Sequence, residues 1–580
     1  MRLLSFAIRA ACVTVAFSWS LSPAPARSAD EPTMQAALDA IAAFAPEAMR
    51  RQGTPGLSVA ITDRTGTLRI IALGYANRDA NVPVTPQTRF AIGSITKSMT
   101  ALALLQLHDA GRLDLNAPAS RYLPWFAIDS GGKAILVHEL LSHTAGIPDD
   151  FAAEIGYGYD IVELRNAKTL FAPGSSWSYS NDGFATAGAI LARLDARSWP
   201  DALTARVFGP IGMANSSAVF TPEAMTGTAT GYQFRDNDRP AAQNPALIES
   251  PQLDFVDPAG SVLSTPEDMA RYMRFYLNGG KTADGTQLIA PATFAAMTHS
   301  DTLSNGKAAG APDTVLTEWP EFYRGYGFGL ATFDEGGDHL VGHTGGISGY
   351  TACMQMNLTR GFGAIAFANL VEAPLHPCAI VRYAMQVLRA QSLGIALPAP
   401  PAAEDPLHVA RASDYDGTYT GAGGTALRVA SKGDRVQLIE GAKAVALYPR
   451  GPNVFWADDP KYARYEIVFG RDRNRSVVEM TFGSQWYPNE RYRGPHTFAH
   501  PPSWNALIGR YENTFFGQPS ITRVVIVKDR LTFDGTDDLK PLPNGNFALG
   551  SSVVRFDAYA GKEPQRVWID ATPLYRVDLP

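Results

Sequence analysis

The segment Phe90-Ala-Ile-Gly-Ser-Ile-Thr-Lys-Ser-Met-Thr100 sets a serine and a lysine three residues apart, where a helical pattern begins with Met99, Ala103, Leu104 and Leu107. Residues i and i+3 share a helix face, so Lys97 can aim its amine at the Ser94 hydroxyl. A serine hydroxyl is a poor nucleophile until a base takes its proton. A lysine can be that base only when neutral, a form favoured by burial or nearby positive charge. The helix N-terminus adds positive potential and N–H groups that suit a developing oxyanion. On its own the spacing equally describes a capping serine beside a surface lysine.

Two further segments extend the pattern. Trp177-Ser-Tyr-Ser-Asn181 follows a turn at Pro173-Gly174. Tyr179 can shuttle a proton, and the Asn181 amide can hold an amide substrate by donor and acceptor together. His343-Thr-Gly-Gly346 follows the strand-like Leu340-Val-Gly342. Glycines on an edge strand let a substrate backbone approach closely. Thr344 can orient a carboxylate or carbonyl, and the Gly346 N–H can complete an oxyanion hole with the Ser94 N–H. Each segment alone also reads as an ordinary turn or hairpin. Their order, with separations of 85 and 164 residues, makes the set specific. His138-Glu-Leu-Leu-Ser-His143 has one residue too many for a zinc-protease motif; five helical steps turn the second histidine away from the first. It reads as structural, and neither metal nor organic cofactor is expected.

Together these segments resemble those of the serine β-lactamase and penicillin-binding-protein superfamily. Leu140-Leu-Ser-His-Thr-Ala-Gly-Ile-Pro148 and Pro258-Ala-Gly-Ser-Val-Leu-Ser-Thr-Pro266 strengthen the likeness. Within the superfamily the first 390 or so residues are most similar to class C β-lactamases, D-Ala-D-Ala carboxypeptidases, D-aminopeptidases and related esterases. The resemblance implies an α+β fold, an antiparallel sheet flanked by helices beside an all-helical part, with the site between them. It implies Ser94 as nucleophile, Lys97 and Tyr179 as general base and acid, and Asn181 as a substrate ligand. It also implies His343-Thr344-Gly345 as the third, substrate-binding motif. Class C β-lactamases usually have lysine where this chain has His343. Histidine is only partly charged near neutral pH, which weakens the antibiotic-resistance reading. The expected partner is a small peptide, amide or ester, opened through an acyl-enzyme. Peptidase, carboxylesterase, β-lactamase and non-catalytic sensor readings use the same fold, and self-association stays open.

The elements that must carry these residues are legible in outline. The 580 residues suit roughly two to four domains. With 46% hydrophobic and 18% charged residues the chain is globular rather than disordered. A net charge of -6 and the lack of a basic run argue against a nucleic-acid partner. Residues 1–29 read as an export signal: Arg2 and Arg9, a short apolar stretch from Ala10 to Leu21, then Ala24-Pro25-Ala26. That stretch is too short to span a bilayer, so a periplasmic or secreted location is expected without a membrane span. Of 3 cysteines, Cys353 and Cys378 lie outside the signal and are able to pair. Within 30–396 a strand is expected over Gly56–Thr62 and helices over Met99–Ala110 and Glu267–Leu277, the last capped by Thr265. A stiff Pro/Ala linker follows at 397–411.

The remainder reads as β-rich and repeats itself. Tyr415-Asp-Gly-Thr-Tyr419 matches Leu507-Ile-Gly-Arg-Tyr511, Asp434–Leu438 matches Asp529–Phe533, and Leu447-Tyr-Pro449 matches Pro541-Leu-Pro543, at offsets of 92, 95 and 94. Two all-β barrel-like domains, 412–498 and 503–580, are expected, with a single large barrel as the rival. They resemble the lipocalin-like appendages behind some D-aminopeptidases. Trp456, Trp486 and Tyr487 read as packing more readily than as a ligand platform.

Overall fold

A computed structural model describes residues 32–148, 157–235, 246–251, 257–300, 325–371, 377–402, 405, 407–457, 459–515, 518–550, 552–569 and 572–577. The stretch read as an export signal lies outside them. Among the described residues no helix is long and apolar enough to cross a membrane.

The central sheet has eight strands: β1 Gly56–Asp63, β2 Thr67–Asn77, β3 Val82–Pro83, β4 Gly325–Tyr326, β5 Ala331–Glu335, β6 Asp338–Ile347, β7 Tyr350–Asn357 and β8 Phe362–Ala368. Their order is β3-β2-β1-β8-β7-β6-β5-β4, antiparallel throughout. The chain therefore leaves after β3, builds the helical part, and returns to complete the sheet.

Every residue of β8 is buried, because helices cover both faces of the sheet. Phe362, Ala364 and Ala366 face one core; Ile365 and Phe367 face the other. This is the two-residue alternation of a strand. On the first face lie α1 (Met34–Gln52) and the C-terminal helix of this domain, Cys378–Leu393. On the second face lie α2 (Thr96–Asp109), α3 (Val137–Leu141), α4 (Asn181–Asp195) and α5 (Pro266–Leu277). Helix α2 is buried nearly all round, from Thr96 to Leu105, as a central helix must be. Helix α5 starts where expected, with Thr265 Oγ1 accepting from the Asp268 N–H at 3.3 Å. Cys353 of β7 and Cys378 are joined, which ties the C-terminal helix to the sheet.

The β-rich region forms two separate sheets with separate cores, so the single large barrel is excluded. The first has eight strands in sequence order from Gly417 to Pro488, with a Tyr419–Asn489 bridge drawing its ends together. The second has nine, and its edge strands Asp537–Asp538 and Lys540–Pro541 are neighbours in the chain. The repeat has a physical basis. Tyr419 Oη donates to the Tyr415 carbonyl at 2.7 Å, and Tyr511 Oη donates to the Leu507 carbonyl at 2.9 Å. Both tyrosines are fully buried, and each hydroxyl finds its acceptor four residues back. Trp456 and Tyr487 are buried in the first barrel. Trp486 packs with Tyr492 and Phe498 around Lys528 of the second barrel, which pairs with Glu479 at 2.5 Å.

Candidate active site

Ser94 sits in a single 3-10 turn, Gly93–Ile95, that runs straight into α2. Lys97 is one residue inside that helix and fully buried. Its Nζ lies 3.1 Å from Ser94 Oγ, 2.6 Å from Asn181 Oδ1 and 3.0 Å from the Ala259 carbonyl oxygen. The geometry dictates what each protonation state can do. As an ammonium, Lys97 donates to all three oxygens. As a neutral amine it has two N–H groups and one lone pair. Asn181 Oδ1 and Ala259 O can only accept, so they take both N–H groups. The lone pair is then left for the Ser94 hydroxyl, the arrangement a general base requires.

The Ala259 carbonyl is itself held in place. The Asp257 carboxylate accepts from the Ala259 N–H at 2.8 Å, and Thr100 Oγ1 on α2 donates to the Pro258 carbonyl at 2.8 Å. Burial raises the pKa of Asp257, and the nearby Lys97 opposes that rise.

Tyr179 is half-buried just before α4, whose N-cap Ser180 accepts from the Gly183 N–H at 3.0 Å. Lys97 Nζ stands 4.7 Å from the centre of the Tyr179 ring and 5.8 Å from that of Phe184. The His143 ring packs against Tyr179 with centroids 4.3 Å apart.

Strand β6 supplies the third side. β5 pairs with it only from Asp338 to Gly342, so from His343 onward that edge has no strand partner among the described residues. The Ser94 turn packs there instead. A Cβ on Gly345 would overlap the Ile92 carbonyl oxygen, and one on Gly93, whose φ is +51°, would come within 2.7 Å of the Gly346 nitrogen. Only glycines let the nucleophile turn lie this close to β6. Gly346 is exposed and Thr344 half-buried, whereas His343 and Gly345 are buried.

The structure thus brings together all the residues named from sequence, and revises three of them. His343 is not a partly charged reader of substrate. Burial holds its pKa down to about 3, with Lys97 adding to the effect and a hydrogen bond to the Thr344 backbone opposing it. Its Nδ1 faces the Thr344 carbonyl at 2.5 Å and its Nε2 faces Tyr326 Oη at 2.8 Å. A carbonyl can only accept, so Nδ1 carries the proton and Tyr326 donates to Nε2. Gly345 serves close packing against Ile92. Asn181 has its oxygen engaged by Lys97 at 2.6 Å, a partner within the site that its reading as a substrate ligand did not include.

Sequence reasoning gave no role to the Ala259 carbonyl, Asp257, Tyr326 or His143. A backbone carbonyl has no residue-type signature at all. His143 was placed on a helix shared with His138, but α3 ends at Leu141 and His143 adopts a left-handed φ of 60°.

The family model described as Beta-lactamase matches residues 41–384. Penicillin-binding protein 4 of Amycolatopsis lactamdurans is 30% identical over 380 residues, covering 64% of this chain and 94% of that protein. Protein flp of Staphylococcus aureus (strain N315) is 24% identical over 326 residues; the match covers 54% of this chain and 60% of that protein's length. Two solved structures share the fold. The octameric penicillin-binding protein homologue from Pyrococcus abyssi has a TM-score of 0.55 at 24% identity, covering 78% of this chain and 99% of that one. The D-amino acid amidase from Ochrobactrum anthropi SV3 has a TM-score of 0.50 at 24% identity, covering 61% and 99%. The chain belongs to the serine β-lactamase and penicillin-binding-protein superfamily, and it is a serine hydrolase of that fold.

Proposed function

We propose that this hydrolase is exported and opens an amide bond of a small peptide through an acyl-enzyme on Ser94. The observation that carries the reading is the Lys97 amine held by three oxygens, two of them obligate acceptors and the third the Ser94 hydroxyl. Lys97 takes the Ser94 proton as Oγ bonds to the substrate carbonyl carbon. The carbonyl electrons move onto oxygen, which the Ser94 and Gly346 N–H groups stabilise. When the tetrahedral adduct collapses the C–N bond breaks, and the amine leaves with a proton passed on through Lys97 and Tyr179. Water then repeats the steps on the acyl-serine ester and releases the acid.

Two features bear on the substrate and the compartment. With His343 neutral, the third motif offers no fixed cation to a substrate carboxylate, which favours amides and esters over β-lactams and C-terminal carboxylates. The same neutrality keeps a carboxylesterase as the second reading. Export is supported by the signal-like residues 1–29 and by the paired Cys353 and Cys378, since disulfides persist in oxidising compartments.

Initial rates on a D-alanyl anilide and a short-chain nitrophenyl ester, for wild type and Ser94→Ala, test the reading. Anilide cleavage that falls by at least about 1,000-fold in a folded Ser94→Ala establishes the peptidase. Ser94-dependent ester cleavage alone establishes the esterase. Normal turnover in a folded Ser94→Ala refutes both.

A further inference from the structure

We infer that His143 is the positioning residue for Tyr179, holding the phenol where it can exchange protons with Lys97 and Ser94; this rests on the hydrolase reading above. Tyr179 is held from both sides along the backbone by one residue. The His143 carbonyl accepts from the Ser178 N–H at 2.9 Å, and His143 Nδ1 accepts from the Ser180 N–H at 3.1 Å. Between these two bonds the imidazole lies 4.3 Å from the Tyr179 ring, inclined by 35°. The same imidazole touches Tyr326 at 4.7 Å, and Tyr326 holds His343. One side chain therefore links the tyrosine loop to the β6 motif.

The backbone of His143 is fitted to this clasp. A residue with a Cβ adopts a φ of +60° only when its surroundings impose it. Because Nδ1 accepts a backbone N–H, the neutral ring carries its proton on Nε2, and that atom is buried without a hydrogen-bond partner among the described residues. An unsatisfied buried N–H is costly, and a phenyl ring here would avoid it. What imidazole offers at this position and phenyl does not is the Nδ1 acceptor beside Tyr179. The charged and titratable groups facing the ring are Lys97 and His343, with Tyr179 and Tyr326 in ring contact. Burial first, then the neighbouring Lys97 and His343, hold the ring neutral and keep Nδ1 able to accept.

The test is a double-mutant cycle on the nitrophenyl ester, with Ser94→Ala as the blank. His143→Ala removes ring and acceptor together. It is expected to lower kcat by about 100-fold and to move KM by less than about threefold. His143→Asn supplies a side-chain oxygen for the Ser180 N–H and tolerates the left-handed backbone, so it recovers at least about tenfold of that loss. In a Tyr179→Phe background, adding His143→Ala costs less than about threefold, because no phenol remains to position. Should His143→Ala not fold, His143→Phe, which keeps the packing and lacks Nδ1, takes its place. Full multiplication of the two single losses overturns the inference. So does a folded His143→Asn as slow as His143→Ala. A wild type no faster than Ser94→Ala refutes the hydrolase reading and the role of His143 with it. The cycle itself fails only where Ser94-dependent turnover is present, so the two failures are distinguishable.

Discussion

Tyr419 and Tyr511 each stand third in a barrel strand and Tyr179 stands just before a helix of the hydrolase domain, yet their surroundings are built differently. The barrel tyrosines are fully buried, and each hydroxyl reaches a carbonyl four residues earlier. Tyr179 is half-buried, and the groups around its ring, Lys97, His143 and His343, come from segments far away in the chain. A polar group satisfied by its own neighbourhood stabilises an element and does little else. A polar group whose partners are gathered from remote segments is held in a geometry that no single element could impose, and that is where chemistry is possible.

Three experiments would break or sharpen this contrast. The largest effect is expected at Gly345. A methyl there overlaps the Ile92 carbonyl and must push the Ser94 turn away from β6. Gly345→Ala should lower kcat/KM by about 100-fold or more, since small misplacements of reacting groups cost that much. Steady-state kinetics with either substrate measures it; full activity would mean that the turn and β6 need not touch.

Tyr419→Phe and Tyr511→Phe should each destabilise their own barrel by about 1–2 kcal/mol, leaving a buried carbonyl without its donor. Turnover should stay within about twofold of wild type, because nothing in the site depends on them. Denaturant unfolding and a rate assay on the same samples decide this. Equal losses in the two barrels would show that the repeat is energetic as well as geometric. A fall in turnover would tie the barrels to the site.

The third effect is on acid stability. His343 and His143 are both held neutral, with pKa values below the ordinary 6.5, His343 at about 3. The unfolded chain therefore binds more protons than the fold below about pH 6.5, so stability falls as pH drops and is flat with respect to these groups above it. The slope is about 1.4 kcal/mol per pH unit for each histidine. Unfolding free energies at pH 7, 6 and 5 for wild type and His343→Asn measure it. An unchanged slope in the variant would mean that His343 is already charged or is open to water.

Much of the architecture was legible because it is written locally. The strand expected over Gly56–Thr62 forms over Gly56–Asp63, and the helix expected over Met99–Ala110 forms over Thr96–Asp109. Hydrophobic periodicity and capping residues act between neighbours, so they survive reading one residue at a time. The Ser94–Lys97 spacing belongs to the same class, being a property of one helical turn. The barrel repeat was visible because each copy folds on its own core.

The sequence by itself determined the kinds of chemistry available: one nucleophile, one amine a helical turn away, one phenol, and glycines for close approach. Tertiary structure alone decided how they are used. It made His343 neutral by removing it from water, with the nearby Lys97 adding to the effect, and gave its Nε2 the Tyr326 hydroxyl as a partner. It committed the Asn181 oxygen to Lys97, brought in the Ala259 carbonyl from 162 residues away, and set His143 against Tyr179. Protonation state and lone-pair direction depend on partners and burial in space, and neither is a property of residues adjacent in the chain.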